Sequence, residues 1–406
     1  DILLKSGEKN IAEKIFQEKI KIDKYDVDAY VILGKILFLQ KKFNKAELIF
    51  RESIKINPKY IYAYLSFGDF LYNHKNDYCE AKKMFRRVIE LDPKIPHAHF
   101  KLGILHVKHN KDYDSAEAEF RNAIELEPKV AMFHFKLGLL LLTYKQNYKD
   151  AEIEFRKTIE IDKNFELAHV NLGVILEKHF EDYQGAKEEL SKAIKINMKC
   201  LLAHFNLGCI LEKYYKDYQG AEVEYRKCIE LDPNFEPARN NLANLLLIHW
   251  DNYDKAEVEY REAIKINPRY VYPYLNLAKL LNNHKQDYKG AEVEYRKAIE
   301  INPEFALLHY NLACILEKNM HDYDRAEAEL RKAIDIDNQY LSAHFNLATL
   351  LHYRKEEYDK AEKEYRKIIE KDPKYVEAHL NLAIILQHKK EDYDEAEKIY
   401  KKVIDL

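Results

Sequence analysis

The sequence predicts an all-α chain built as an α-solenoid, and three observations predict it. A block near "AHxNLG" recurs along the whole chain, placing a small residue at Gly34, Gly68, Gly103, Gly138, Gly173, Gly208, Ala243, Ala278, Ala313, Ala348 and Ala383. The first step is 34 residues and each later one is 35. Within each block the apolar residues recur at three- and four-residue spacing, the period of an amphipathic helix. Only 10 Gly and 10 Pro occur in 406 residues, too few turns for a many-stranded sheet.

Each repeat then resolves into parts. In residues 201–235 one helix carries Leu207, Ile210 and Leu211, and a second carries Ala221, Tyr225, Cys228 and Ile229. Between them lies "KYYKDYQG", where Asp217 is placed to cap the second helix through an early backbone N–H. Pro233 disfavours helical geometry at Asp232 and stops the helix. Close helix crossings need small residues, which explains the Gly208 and Ala221 types of position. The bulky residue four after that Ala fills the space beside it, as Phe85, Phe120 and Tyr225 do. One hairpin cannot bury both of its faces, so stacking supplies the core and the usual size limit of a single domain does not apply. The reading is about eleven helix-turn-helix repeats at 27–406, starting near 27, 61, 96, 131, 166, 201, 236, 271, 306, 341 and 376. A partial repeat, a lone second helix, occupies 1–26. Because the chain opens at Asp1 and stops at Leu406 inside a helical pattern, it is expected to be a fragment of something longer that continues the array or caps it beyond Leu406.

These residues resemble the tetratricopeptide repeat family. The match comprises Leu-Gly/Ala in the first helix, Tyr ahead of the second, Ala followed four later by an aromatic, and a terminal Pro. It recurs in register over about residues 8–406. Departures are Lys163, Met198 and Asn338 at the Pro site, and His99, His134, His169, His204, His309, His344 and His379 where the family often has Trp. From the second complete repeat onward the inter-helix turn has one extra residue and lacks the usual Gly. The longer turn is expected to relieve the need for a positive-φ residue.

Charge and motifs exclude several classes of function. The 66 basic and 69 acidic residues are interleaved, so no nucleic-acid stripe is present. No apolar run reaches the length of a membrane span. Five cysteines, an odd set without CxxC spacing, point to a reducing intracellular compartment such as the cytoplasm. His97, His99, His106 and His109 form the densest histidine group, but His99 is a repeated packing position and no metal site is expected. Cys209 and Cys314 lack a local base. Without a phosphate loop, an HExxH run or a nucleophile elbow, neither catalytic residues nor cofactors are expected.

The resemblance implies that first helices line a concave binding surface. Two residues before the small position stand Asn171, Asn206, Asn241, Asn276, Asn311, Asn346 and Asn381. This row is similar to the asparagine ladder of the O-linked N-acetylglucosamine transferase repeat domain. An amide side chain can donate and accept at once, so such a row suits an extended peptide backbone; bonding within the array is the alternative. In the amino-terminal third the equivalent sites are Ile32, Ser66, Lys101 and Lys136. Neighbouring positions Phe100, Ile104, Phe135, Leu139, Val174 and Phe205 form an apolar groove suited to a partner helix or apolar segment. The function expected is a protein–protein interaction scaffold or adaptor for peptides or subunits of a larger assembly. The alternative is the substrate-recruiting arm of a larger enzyme, for example a glycosyltransferase, with its catalytic domain elsewhere.

Overall fold

A computed structural model describes residues 9–405, and among them are 23 α-helices and no strand. The first eight positions of the partial repeat lie outside the described residues. First helices begin at Val27, Ile61, Pro96, Ala131, Glu166, Leu201, Glu236, Val271, Ala306, Leu341 and Val376. Second helices begin at Lys9, Phe43, Tyr78, Tyr113, Tyr148, Tyr183, Tyr218, Tyr253, Tyr288, Tyr323, Tyr358 and Tyr393. The fold is an α-solenoid of helical repeats. The chain divides into two compact units, residues up to Ala203 and residues from His204.

Inside the first unit each hairpin shares its core with the next. Leu33, Leu37, Phe50, Phe67, Phe70 and Phe85 belong to one buried cluster that runs across consecutive repeats. In the second unit Tyr225, Tyr260 and Tyr365 are fully enclosed beside Ala221, Ala256 and Ala361. The close crossing is visible at Gly208, where an added Cβ would stand 2.8 Å from the Tyr225 ring.

Polar groups set the helix ends. Asp217 accepts from the Gly220 N–H at 2.9 Å, and Asp77, Asp112, Asn147, Asp182, Asn252, Asp287 and Asp322 cap their own second helices in the same way at 2.9–3.3 Å. A cap of this kind contributes about 1 kcal/mol. Where Pro is missing, an Asx turn still stops the second helix. The Asp162, Asn197 and Asp337 side chains accept from the backbone N–H two residues on, at 2.9–3.0 Å.

The inter-helix turn corrects one expectation. The extra residue does not remove the positive-φ position: Lys41, Asn76, Lys111, Gln146, Glu181, Lys216, Asp251, Gln286, His321, Glu356 and Glu391 all lie at φ 49–62°. It widens the closing loop instead. In the 34-residue first repeat Lys42 N–H bonds the Leu37 carbonyl, five residues back. In later repeats, as with Asp182 N–H to Leu176 O and Asp217 N–H to Leu211 O, the closure spans six. Four first helices finish in a π turn, at Leu71–Lys75, His106–Asn110, Leu141–Lys145 and Leu211–Tyr215. A left-handed residue is what turns the chain back, so the wider loop keeps it.

One edge of each unit is laced from repeat to repeat. Tyr148 stacks on His179 with ring centroids 3.4 Å apart, Tyr78 on His109 at 3.3 Å and Tyr218 on His249 at 3.5 Å. Beside the stacks, Lys145 bonds Asp114 and Glu117 of the preceding repeat, Lys285 bonds Asp254 and Glu257, Lys355 bonds Asp324 and Glu327, and Lys390 bonds Asp359 and Glu362.

Candidate functional site

The first helices carry the asparagine row, and every member is half-buried. In the second unit Asn241 Nδ2 lies 3.5 Å from both Cys209 Sγ and Tyr225 Oη. Tyr225 donates to Glu212 at 2.7 Å, and burial, with the Cys209 and Glu212 charges, pushes its phenol far above the usual range. Asn276 donates to Asn240 Oδ1 at 3.1 Å, and Asn346 to Tyr310 Oη at 3.2 Å and Cys314 Sγ at 3.4 Å. Asn381 accepts from Tyr353 Oη at 2.7 Å. Asn311 Nδ2 is buried without a partner among the described residues. In the first unit Asn171 donates to Leu167 O of its own helix at 2.7 Å. The N–H groups of Asn171, Asn241, Asn276 and Asn346 are therefore turned into the array. Asn206 keeps the register of the row.

The apolar positions of the first unit separate into two kinds. Ile104 and Leu139 line a 330 Å3 cavity together with Tyr72, Lys108, Lys136 and Tyr144. Val174 is half-buried outside that lining, as is Phe205 in the second unit, which packs on Phe235 at 5.2 Å. Phe100 and Phe135 are covered rather than groove-lining, at 7% and 4% exposure. Each reaches the start of the following repeat, where Phe133 and Phe165 close over it at 4.7 Å. Sequence reasoning missed Tyr72, Lys108 and Tyr144 because they sit at or beyond the helix ends that the repeat signature does not cover.

A larger cavity, 540 Å3, is bounded by residues including Arg156, Lys163, His169, Glu189, Lys192 and Lys195. Its wall exposes the main polar feature of the interior. His169 Nδ1 lies 2.6 Å from Glu189, and its Nε2 lies 3.1 Å from the Lys163 carbonyl. The same arrangement joins His99 to Glu119, His134 to Glu154, His309 to Glu329 and His344 to Glu364, with the ring's other nitrogen on the carbonyl six residues back. His204 meets Glu224 at 2.5 Å. In the rings of His99, His134, His169 and His309 both nitrogens face oxygen atoms, an arrangement that suits an imidazolium donating to a carboxylate, whereas His344 Nε2 also lies 3.0 Å from Lys371 Nζ. Burial raises the carboxyls of Glu189, Glu329 and Glu364, but hydrogen bonds from the histidine and a neighbouring lysine outweigh it and hold them below the usual range. Their sequence signal is His followed twenty residues later by Glu. The four clustered histidines go to four different partners, namely Asp69, Glu119, Asp112 and the Tyr78 ring. Among the described residues no group of three His, Cys, Asp or Glu could hold a metal, and none of the five cysteines is in a disulfide. No described helix is long and apolar enough to cross a membrane.

Three family models, each described as "Tetratricopeptide repeat", match the chain. One covers residues 27–60, 202–235, 271–305 and 341–375, another 224–258, 294–328 and 364–398, and a third 74–121 and 100–164. Together they take in well over half of the sequence. No curated protein matches it. Among solved structures, YrrB, described as a TPR protein with an unusual peptide-binding site, is 24% identical over 46% of this chain and 95% of its own, with a TM-score of 0.39. Yeast Tom70 is 18% identical over 95% of this chain and 92% of its own, at 0.43. Human IFIT1, solved as a dimer with PPP-AAAA, is 15% identical over 98% and 94%, at 0.45.

Proposed function

Because this chain belongs to the tetratricopeptide repeat family, we propose that it is a non-catalytic scaffold whose first-helix faces hold segments of other proteins. The observation that carries this is the asparagine row. Asn206, Asn241, Asn276, Asn311, Asn346 and Asn381 occupy one register on successive first helices of the second unit, neither sealed in the core nor fully in solvent. A packing role alone would favour apolar side chains there, since a half-buried amide must find hydrogen bonds. The likeness to an asparagine ladder supports a grip on peptide backbone, in which an incoming strand exchanges partners with amides now bonded to Cys209, Tyr225, Asn240, Tyr310 and Cys314. In the first unit the cavity at Ile104 and Leu139 supplies an apolar anchor point instead.

Replacing Asn241, Asn276 and Asn311 together by Ala tests the reading. Each neutral hydrogen bond is worth about 0.5–1.5 kcal/mol net, so affinity for peptides selected on the wild-type chain should fall by roughly tenfold or more. Circular dichroism should report an unchanged helical fold. Unchanged affinity in an intact triple variant would remove the asparagines from the site.

A further inference from the structure

The first unit carries a positive charge with no ion-pair partner among the described residues. Lys101 and Lys136 stand in the same register of consecutive repeats. Lys101 Nζ lies 2.8 Å from Asp69, a carboxylate 32 residues earlier. The residue 32 before Lys136 is Ile104. With its counter-ion position filled by an apolar side chain, half-buried Lys136 has no ion-pair partner among the described residues. Its Nζ sits 5.7 Å from the Phe135 ring centroid. Burial first, and the charge of Lys108 second, pull the ammonium below its usual range. Lys108 in turn lies over the Tyr72 ring at 5.4 Å. Both lysines face the cavity floored by Ile104 and Leu139.

We propose that this cavity is a specificity pocket for a partner segment carrying an internal Asp or Glu next to an apolar side chain, with Lys136 and Lys108 receiving the carboxylate and Ile104 and Leu139 the apolar group. The inference rests on the scaffold reading above and names the chemistry of its partner. A purely apolar segment would cover Lys136 and leave its charge unpaired at a desolvated site, which is unfavourable. A purely acidic one would form only a screened surface pair. A residue pair meeting both needs gains a desolvated ion pair and an apolar contact together.

The test is a phage-displayed random peptide library, fused at both ends of the random segment so that no terminal carboxylate contributes, selected on the full chain. Selected peptides should be enriched in Asp or Glu beside Leu, Ile, Phe or Tyr. One of them, synthesised with blocked ends, should bind roughly tenfold or more tightly than its acid-to-amide version. That ratio should collapse towards one in Lys136→Met, which keeps the stem on Phe135. It should also collapse in Ile104→Asp, which gives Lys136 the counter-ion that Asp69 gives Lys101. Peptides that bind but show no acid preference, or whose preference survives in the intact Lys136→Met variant, overturn the proposal and leave the scaffold reading standing. A wild-type chain that enriches no peptide overturns both.

Discussion

Glu329→Gln tests whether the buried histidines are charged. His309 and Glu329 are 3% and 7% exposed, and the imidazole Nδ1 lies 2.6 Å from Glu329 Oε2 and Nε2 3.0 Å from the Pro303 carbonyl. The substitution keeps the shape and one acceptor oxygen and removes the counter-charge. Exchanging a charge-assisted bond of about 1.5–3 kcal/mol for a neutral one of about 0.5–1.5 loses about 1–2 kcal/mol. Burying the imidazolium beside a neutral amide adds to this, within the ~3–5 kcal/mol ceiling for breaking a buried pair. The second bond to Glu329, from the half-exposed Lys332, contributes a few tenths of a kcal/mol. A loss of about 2–3 kcal/mol is therefore expected, read by native-state hydrogen exchange over Ala306–Lys318 and Tyr323–Ile336. In a His309→Tyr background the same change should cost under ~0.5 kcal/mol, because the neutral hydroxyl of Tyr274 does that job one repeat earlier, reaching the Pro268 carbonyl at 3.2 Å. The deficit also has a pH signature. The Glu329 carboxyl is held below its unfolded value, so its contribution is present above about pH 4.3 and disappears as pH falls through the lower folded value. A loss below ~0.5 kcal/mol at neutral pH in the single variant would show that His309 is neutral and would refute the ion-pair assignment.

At Glu181, held at φ 54°, replacement by Gly should raise stability by about 1 kcal/mol in urea unfolding, whereas Asn76→Gly should change little because Asn tolerates the left-handed region; equal effects would refute the strain account. Ala221→Leu should overpack the enclosed crossing beside Tyr225 and cost about 1–3 kcal/mol, with faster exchange confined to its own and adjoining repeats. His179→Ala should remove the stack on Tyr148 and cost about 0.5–1 kcal/mol, visible as faster exchange in Tyr148–Ile161; undiminished protection there would contradict a stabilising edge.

Periodicity made the helices, caps and stops legible, because small residues, Asx caps and terminal prolines act within one or two turns of their own position. The turn was misread for an instructive reason. A missing Gly at a chain reversal suggests that no residue there needs φ above zero, yet Glu181, Asp251 and Glu391 adopt it, and the extra residue enlarges the hydrogen-bonded loop instead. Phe100 and Phe135 were misplaced because helical phase shows which way a residue points and not what the next repeat lays over it. The asparagine register was readable and its internal hydrogen bonds were not, since Tyr310 and Cys314 reach Asn346 only through packing of separate helices. Lys136 needed both levels: the sequence shows Ile104 in place of the acid, and the structure shows the cavity into which the charge faces.

The laced edge makes the order of the repeats non-interchangeable. Asp114, Asp254, Asp324 and Asp359, all at the second residue of their helices, each meet a lysine 31 residues on. Where that acid gives way to Lys149, Gln219 or Lys289, the residue 31 further along is Phe180, Trp250 or Met320, and no lysine stands there. Moving a repeat to another position would set a lysine against Lys149 or leave it only the glutamate at the fifth residue of the helix, as at Glu152 or Glu222, although the hairpin cores would still fit. These borders thus carry a two-letter address written on neighbouring hairpins, while at the first border Asn44 stands in the acid's place and Lys75 pairs with Glu47. A shuffled chain of the same composition would lose these matches and with them the discrimination against skipped or swapped pairings during folding.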